Sequence, residues 1–318
     1  MKPLKVVFFG TPDFAKSCLH SIHESLHQIV GVVTVPDKNS GRGQKITQSA
    51  VKQYAAEHHL TIFQPEKLRN KEFLSQMKNL EADVFVVVAF RMMPKILFEI
   101  PKFGTFNLHA SLLPDYRGAA PINFAIINGE TKTGVTTFFI NEKIDEGNIL
   151  MQKETAVNPK ETAGELHDRL QEIGAQLVVE TLNKLSDGSL QEKPQKAVSE
   201  PKNAFKIFKE DTRINWNQPA EKVYNFIRGM SPYPAAFTIL RIGNDTKTLK
   251  IFAGDFTAEN HQEPAGKSEI SKNGFRIYTE DGVYTPSEVQ LEGKKRMDVK
   301  SFLNGFRDFE QISISADY

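Results

Sequence analysis

Residues 107–121 read Asn-Leu-His-Ala-Ser-Leu-Leu-Pro-Asp-Tyr-Arg-Gly-Ala-Ala-Pro, and this stretch is the most informative in the 318-residue chain. It follows Gly104, Thr105 and Phe106, a short run typical of the end of a buried strand. The small residues, prolines and glycine that come next predict a rigid loop whose backbone a ligand can approach closely. A strand end that delivers polar side chains into such a loop is where open α/β sheets place their sites.

Two polar side chains of this stretch point to one side of the predicted strand. Alternate residues of a strand share a face, so Asn107 and His109 project together while Leu108 packs on the opposite side. An amide and an imidazole directed at one point can stabilise a carbonyl oxygen as it gains negative charge. Either residue alone would be explained by a structural hydrogen bond. Two polar side chains on one face, at the start of a predicted rigid loop, together favour a catalytic site.

The first half of the chain alternates apolar strand-like runs with helical patterns. Such alternation predicts an α/β fold with a mostly parallel sheet and helices on both faces. The predicted strands are 5–9, 29–34, 61–63, 83–89, 104–108 and 135–140. The predicted helices are 14–25, 49–58, 73–79 and 163–185, the last of which ends at the stop signal Ser-Asp-Gly over 186–188.

Residues 191–206 form a polar segment with two prolines and no clear period, which we interpret as a linker. It divides the chain into a first domain of residues 1–190 and a second domain of residues 207–318. In the second domain a helical pattern precedes short strand-like runs separated by turn sequences, which predicts a small β-barrel. The predicted elements are a helix over 220–228, strands over 236–242, 249–255, 274–279 and 283–291, and a last helix over 299–306.

Composition limits the possible classes of protein. Hydrophobic residues make up 40% of the chain and charged residues 25%, as in ordinary globular proteins. The formal net charge of +1 gives no overall attraction to nucleic acid or membrane, so any RNA must be bound by local patches. The single cysteine excludes an intramolecular disulfide, and no Cys/His cluster indicates a metal site. No apolar stretch suits a signal peptide or membrane span, so we expect a cytoplasmic protein, and nothing in the sequence requires more than a monomer.

The loops after the first two predicted strands differ in what they can bind. A dinucleotide site needs three spaced glycines after the first strand, but only Gly10 is present there, so we reject NAD and FAD. After the second strand, residues 36–45 carry two glycines and the basic residues Lys38, Arg42 and Lys45. Alone this segment would be a solvated surface loop, but its place at the same sheet edge as the polar pair favours a contact with phosphates.

A carboxylate follows the sixth predicted strand. Asp145 lies in Lys-Ile-Asp-Glu-Gly-Asn, residues 143–148, and in the predicted sheet this loop can reach Asn107 and His109. A carboxylate beside an imidazole orients the ring and favours its protonated form. The sequence Asp-Glu-Gly is also typical of a turn. Spacing alone therefore leaves two interpretations of Asp145 open, a catalytic partner and a turn residue.

Taken together, these motifs closely resemble those of methionyl-tRNA formyltransferases, over nearly the whole chain. The Asn-x-His pair followed by Ser-Leu-Leu-Pro is shared by the wider class of enzymes that use 10-formyltetrahydrofolate. The Gly-Thr-Pro-Asp-Phe and Gly-Arg-Gly motifs favour the tRNA enzymes within that class. The segments that carry the resemblance are 9–15, 36–37, 41–43, 107–114, 116–121, 133–136, 145–147 and 213–216.

The resemblance implies a Rossmann-like domain followed by an OB-like barrel. It implies a reaction in which the α-amine of methionine on initiator tRNA attacks the formyl carbon of 10-formyltetrahydrofolate, with no metal. Asn107 and His109 would then stabilise the tetrahedral oxyanion, while Asp145 would hold His109 protonated and help to remove the proton of the amine. Arg42 would enter against the acceptor stem, and the barrel would contact the tRNA. The segment that matches the folate contacts of the family comprises Ser111, Leu112, Leu113 and Pro114.

Two departures from the family pattern concern the donor pocket. Residues 90–94 read Phe-Arg-Met-Met-Pro where the family usually has Tyr-Gly before apolar residues, which places Arg91 at a glycine position. Asp115 stands where a neutral or basic residue is common, and it adds a negative charge beside the predicted site.

Two other functions stay open. A formyltransferase acting on an amino-sugar nucleotide shares the catalytic side chains and a barrel domain, and the sequence after residue 232 fits that class too. The basic residues Lys38, Arg42 and Lys45 favour RNA over a sugar nucleotide. A non-catalytic nucleic-acid binder is disfavoured by the near-neutral charge and by the scarcity of aromatic residues suited to stacking in the second domain.

Overall fold

Strands and helices alternate along the first part of the computed structural model, which describes residues 2–40, 45–196 and 200–314. The strands are β1 (Lys5–Gly10), β2 (Gln28–Val33), β3 (Lys38–Ser40), β4 (Lys45–Thr47), β5 (Ile62–Phe63), β6 (Val84–Val88), β7 (Thr105–His109), β8 (Arg117–Gly118), β9 (Lys132–Phe139), β10 (Ile149–Ala156), β11 (Asn203–Ala204), β12 (Ala236–Ile242), β13 (Asp245–Ala258), β14 (Ser268–Ser271), β15 (Gly274–Tyr278), β16 (Gly282–Leu291), β17 (Met297–Asp298) and β18 (Ile312–Ile314). The helices are α1 (Asp13–His23), α2 (Ala50–Glu57), α3 (Lys71–Asn79), α4 (Lys95–Phe98), α5 (Pro121–Ile127), α6 (Ala163–Asp187), α7 (Ala220–Met230) and α8 (Val299–Leu303).

The chain divides into two compact units that are not continuous in sequence. The first unit comprises residues 1–118, 132–156 and 167–203, and the second comprises residues 119–131, 157–166 and 204–318. The domain boundaries at residues 190 and 207, and the linker between them, stay predictions.

The first unit contains a mixed sheet. Across the described residues its seven strands run in the order β10-β9-β7-β6-β1-β2-β5. The five strands from β7 to β5 are parallel, and β9 and β10 add an antiparallel pair at one edge. This arrangement confirms the mostly parallel sheet and the Rossmann-like fold. The sequence did not predict β10, because an edge strand with mostly exposed side chains lacks the apolar pattern of a buried one.

Helices cover both faces of this sheet, as predicted. On one face, Phe9 and Val87 belong to a buried cluster with Phe73 and Met77 of α3 and Leu97 of α4. On the other face, Leu108 packs against α6 so closely that a Cβ added at Gly174 would lie 2.7 Å from its Cδ2 atom. Gly174 therefore sets how near the helix comes to the sheet. The helix ends at Asp187, and Gly188 follows with φ 74°, which confirms the predicted stop signal.

A short hairpin replaces part of the loop predicted after β2. Strands β3 and β4 pair in antiparallel register, with Lys38 opposite Thr47. The base of the hairpin is fixed by Asp37, whose Oδ2 accepts from Lys52 Nζ at 2.5 Å and whose Oδ1 accepts from Gln64 Nε2 at 2.8 Å. The hydrogen bond from Lys52 is the main reason why the pKa of Asp37 is lowered. Residues 41–44, between β3 and β4 in the sequence, lie outside the described residues.

The second unit is built around an antiparallel sheet. As far as the chain is described, its strand order is β14-β15-β16-β13-β12-β18, with β17 paired to β16. The backbone N–H of Ile314 in β18 donates to Ser268 Oγ in β14 at 2.9 Å, so the two ends of the sheet come together. Side chains such as Trp216, Ile251 and Tyr284 fill the interior. The nearly closed sheet confirms the predicted barrel. None of the described helices is both long and apolar enough to cross a lipid bilayer.

Candidate active site

Strand β7 delivers the polar pair to the carboxyl edge of the parallel strands. Asn107 lies opposite Val87 of β6 in register, and Val87 packs toward α3 and α4. His109, two residues further along the strand, therefore lies on the same face as Asn107. Asn107 is half-buried and His109 is buried. The strand thus places both polar groups as the spacing predicted.

The imidazole of His109 has an oxygen atom near each of its ring nitrogens. The Nε2 atom lies 2.8 Å from the carbonyl oxygen of Tyr116, and because a carbonyl only accepts, Nε2 carries a hydrogen and donates it. The Nδ1 atom lies 3.8 Å from Oδ2 of Asp145. That distance exceeds a hydrogen bond but permits a strong Coulomb interaction. The ring is therefore flanked by a carbonyl oxygen on one nitrogen and by a carboxylate oxygen near the other.

The carboxylate of Asp145 also accepts a hydrogen bond from a backbone amide. The N–H of Gly118 donates to Asp145 Oδ2 at 2.9 Å. The side chains of His109 and Asp145 are only 7% and 14% exposed, so water screens their interaction weakly. Asp145 itself has φ 54°, in the left-handed region. The structure therefore brings together two predicted site residues that are 36 positions apart in the sequence.

The loop predicted to contact folate is fixed by a set of buried hydrogen bonds. Thr136 Oγ1 donates to the carbonyl oxygen of Ser111 at 2.7 Å and accepts from the N–H of Leu113 at 3.2 Å. Gln152 Nε2 donates to the carbonyl oxygen of Leu113 at 2.9 Å and to Thr136 Oγ1 at the same distance. Ser111 Oγ donates to the carbonyl oxygen of Asp115 at 2.6 Å. The backbone of this loop is therefore preorganised.

The four side chains of the predicted folate-contacting loop differ in exposure. Leu112 and Pro114 are half-buried, whereas Ser111 and Leu113 are buried. Leu112 packs over Gly134, where an added Cβ would lie 2.6 Å from its Cδ2 atom. The loop thus offers two half-buried apolar side chains beside the strand end that carries His109.

Two of the three predicted basic residues lie on the described strands of the β3–β4 hairpin. Lys38 is exposed at the start of β3. Lys45 begins β4, and only its backbone position is described. Arg42 lies outside the described residues. The hairpin follows β2, whose carboxyl end lies at the same edge of the sheet as that of β7.

Arg91, at the first departure from the family pattern, joins two loops at this edge. Its Nη1 atom donates to the carbonyl oxygen of Glu66 at 2.8 Å, and its Nη2 atom donates to that of Pro65. The guanidinium lies 5.5 Å from the ring centroid of Phe90. Burial lowers the pKa of Arg91. The arginine therefore ties the loop after β6 to the loop after β5, a connection that a glycine cannot make.

Sequence reasoning missed the groups that hold the predicted residues in place. The carbonyl of Tyr116 and the N–H of Gly118 are backbone atoms, which leave no signal in a sequence. Thr136 and Gln152 are polar residues on strands, where an alternating pattern predicts only solvent exposure. Among the described residues, no group of three or more His, Cys, Asp or Glu side chains is placed to hold a metal ion.

Comparison with known families matches both parts of the chain. The formyl transferase family model covers residues 4–182, and the model of the formyl transferase C-terminal domain covers residues 206–307. A methionyl-tRNA formyltransferase of Flavobacterium johnsoniae is 47% identical over 99% of this chain and all of that protein. A methionyl-tRNA formyltransferase of Bacteroides fragilis is 43% identical over 98% of each chain.

More distant solved structures share the fold. WlaRD, a sugar 3N-formyl transferase determined in the presence of dTDP and 5-N-formyl-THF, has a TM-score of 0.65 at 23% identity, over 93% of this chain and 100% of that one. HypX from Aquifex aeolicus in complex with tetrahydrofolic acid has a TM-score of 0.63 at 16% identity, over 95% of this chain and 47% of that one. The matched family models and the near-full-length identity to curated relatives lead to one conclusion: the chain belongs to the formyl transferases and, within them, to the methionyl-tRNA formyltransferase family.

Proposed function

We propose that this enzyme transfers the formyl group of 10-formyltetrahydrofolate to the α-amino group of methionine carried by initiator tRNA, for translation initiation. The observation that carries the proposal is the meeting of His109 and Asp145, at 3.8 Å, beside a strand end that also presents Asn107. An amide, an imidazole and a carboxylate with these surroundings suit acyl transfer through a tetrahedral intermediate.

The proposed reaction begins when the neutral amine attacks the formyl carbon and the carbonyl oxygen becomes an oxyanion. Asn107 donates an amide hydrogen to that oxyanion, and His109, kept protonated by the charge of Asp145, stabilises it further. The carboxylate of Asp145 helps to accept the proton that the amine must lose. The nitrogen of the folate leaves with the electron pair of the broken C–N bond and takes up a proton, which gives tetrahydrofolate and formylmethionyl-tRNA.

His109 has one competing hydrogen bond in this scheme. Its Nε2–H is donated to the carbonyl oxygen of Tyr116 at 2.8 Å. Donation from Nε2 to the oxyanion therefore requires that its hydrogen bond to Tyr116 break when the substrate binds, since catalytic hydrogen bonds often form fully only in the substrate complex. The positive charge of the ring stabilises the oxyanion in either arrangement.

The proposed donor site is the loop of Ser111, Leu112, Leu113 and Pro114. Its support is the fixed backbone described above, together with solved relatives of the same fold that were determined with 5-N-formyl-THF or tetrahydrofolic acid. Calorimetry with a stable folate analogue tests this site independently of the amine acceptor. We expect 1:1 binding by the wild-type protein, and absence of binding would exclude the folate donor.

The proposed tRNA contacts are Lys38, Arg42 and Lys45, with the second domain, residues 207–318, as a further contact surface. In this scheme residues 1–190 carry catalysis and residues 191–206 link the two domains. Basic side chains on a hairpin at the sheet edge suit phosphates of an acceptor stem. A monomeric state, a cytoplasmic location and independence of metal stay predictions of the sequence.

One assay separates the proposal from its main rival. The purified protein and the folate donor are offered methionyl initiator tRNA in one reaction and an amino-sugar nucleotide in another, and the formylated product is measured. We expect transfer to the tRNA, because the named relatives at 43–47% identity are tRNA enzymes whereas the sugar enzyme WlaRD is 23% identical. Transfer to the sugar alone would overturn the proposal.

A further inference from the structure

Two irregular loops hold the His109–Asp145 pair, and both contain strained backbone. The first loop supplies the carbonyl of Tyr116 to His109 and the N–H of Gly118 to Asp145. The second loop supplies Asp145 itself. Tyr116 has φ 61° and Asp145 has φ 54°, both in the left-handed region that is unfavourable for a non-glycine residue. Neighbouring contacts must therefore hold these loops in place.

A single side chain from the predicted linker joins the two loops. Gln195 Nε2 donates to the carbonyl oxygen of Asp145 at 2.7 Å and to that of Gly147 at 2.9 Å. Its Oε1 accepts from Arg117 Nη2 at 2.5 Å and from Arg117 Nε at 3.2 Å. Both amide hydrogens and the amide oxygen are thus used. One end of the amide fixes the loop of Asp145, and the other fixes the loop that holds His109.

The backbone that carries Gln195 is itself fixed to the same unit. The N–H of Lys193, two residues earlier, donates to the carbonyl oxygen of Ile149 at 2.8 Å. The N–H of Ile149 in turn donates to the carbonyl oxygen of Lys193 at 2.7 Å. On the other side of the bridge, Arg117 Nη1 lies 3.3 Å from Oε1 of Glu146, the residue after Asp145. Gln195 is half-buried, which shields its hydrogen bonds from exchange with water. The bridge is therefore preorganised before any substrate binds.

We infer that Gln195 is a positioning residue of the formyl-transfer reaction, which holds Asp145 at its working distance from His109 by bridging their two loops. The inference rests on the proposed function. Gln195 bonds to the main chain of Asp145 and to the side chain of Arg117, and these hydrogen bonds involve neither His109 nor the carboxylate of Asp145. Its effect is thus on geometry, and a displacement of about 1 Å at a catalytic group can lower the rate about 100-fold.

Two substitutions test this role. Gln195→Met keeps the length of the side chain and removes all of its hydrogen bonds. Gln195→Glu keeps an acceptor for Arg117, but it has no N–H for the carbonyls of Asp145 and Gly147 and turns a charged oxygen toward them. We expect each variant to lower kcat about 10- to 100-fold, with the KM for folate donor and for tRNA within about twofold of the wild-type values.

The matched control is Asn148→Ala. Asn148 lies on the same loop, and its amide donates to Glu192 Oε2 at 2.9 Å at the surface, without bridging to the loop of Tyr116 and Gly118. We expect its kcat to stay within about twofold of the wild-type value. Thermal unfolding shows whether each variant is folded. If Gln195→Met is not folded, Gln195→Glu alone provides the test.

The outcomes separate the positioning role from the proposed function itself. A wild-type protein that transfers no formyl group to tRNA would refute the function, whatever the variants do. Given an active wild type, an unchanged kcat in the folded Gln195 variants would overturn the positioning role. Equal losses in Gln195→Met and Asn148→Ala would also overturn it, because they would indicate general disturbance of the loop.

Discussion

Oδ2 of Asp145 lies 3.8 Å from Nδ1 of His109 and accepts the N–H of Gly118 at 2.9 Å, so one carboxylate oxygen joins a ring nitrogen to a backbone amide. The hydrogen bond from the Gly118 N–H fixes the position of the oxygen that faces the imidazole. The two interactions share this one oxygen atom. They depend on loop geometry, because neither Gly118 nor Asp145 lies on the strand that carries His109.

His109→Ala and Asp145→Ala are expected to abolish formyl transfer while tRNA binding survives. Each removes one member of the charged pair, and loss of a group that stabilises charge or moves a proton lowers turnover at least about 100-fold. The tRNA contacts proposed above lie elsewhere, on the hairpin and the second domain. Turnover is measured with saturating substrates and tRNA affinity by filter binding. Undiminished turnover in either variant would contradict the assigned roles.

Thr136→Val is expected to weaken both stability and donor binding. The hydroxyl of Thr136 is buried and bonds to Ser111, Leu113 and Gln152. Its loss leaves the backbone groups of the donor loop unpaired, which costs about 1–3 kcal/mol in the free energy of unfolding. We expect the KM for the folate donor to rise in the same variant.

The control for that prediction is Thr137→Val. Thr137 is equally buried on the same strand, but its hydroxyl bonds to Thr181 Oγ1 at 2.9 Å and not to the donor loop. Its loss should lower the free energy of unfolding and leave the donor KM unchanged. A rise in donor KM of equal size in both variants would show that the donor loop does not depend on Thr136 in particular.

Arg42→Ala is expected to weaken the use of tRNA and to reduce its salt dependence. Loss of one phosphate contact lowers the slope of log affinity against log salt concentration by about 1. Affinity for tRNA is measured over a series of salt concentrations, with Lys78→Ala, an exposed lysine of α3, as the control. An unchanged slope in Arg42→Ala would show that Arg42 makes no phosphate contact.

His27 is expected to make folding stability fall in mild acid. Its Nδ1 accepts the N–H of Leu4 at 3.2 Å and its Nε2 lies 3.2 Å from Oδ1 of Asn183, which together suit a neutral ring. Burial is the main cause that lowers the pKa of His27 from its ordinary 6.5. Below pH 6.5 His27 therefore takes up a proton in the unfolded chain but not in the folded protein. The free energy of unfolding decreases as the pH falls, until the folded pKa is reached.

The measurement for His27 compares denaturant unfolding at about pH 7.5 and about pH 5.5. We expect the loss of stability between these two pH values to be smaller in His27→Gln than in the wild type. His59→Gln, which removes an exposed histidine, should behave as the wild type. Equal losses in all three proteins would show that His27 does not contribute to this pH dependence.

Tyr284→Phe is expected to stabilise the second unit by about 1 kcal/mol. The side chain of Tyr284 is fully buried, and its hydroxyl has no hydrogen-bond partner in the part of the chain that is described. Burial raises the pKa of this hydroxyl well above its ordinary value. A buried polar group without a partner costs about 1–3 kcal/mol, and phenylalanine removes it while keeping the ring. A lower unfolding temperature for the variant would contradict this account.

The positions of the buried strands of the first unit were predictable because they depend on patterns within a few residues. Strand β7 ends at His109, and alternation alone put Asn107 and His109 on one face. The end of α6 was predictable for the same reason, since Gly188 readily adopts the left-handed conformation that follows the helix. Strand β10 was missed because its exposed residues at a sheet edge look like loop.

Periodicity and short motifs are properties of neighbouring residues, so the fold class, the family and the identity of the polar groups could be predicted from the sequence. How those groups are held could not be predicted, because it depends on residues far apart in the chain. Gln195 reaches Asp145 across 50 positions and Arg117 across 78. Such contacts have no local signature. They arise only when the chain folds back and the buried backbone carbonyls of strained loops take the nearest available donors.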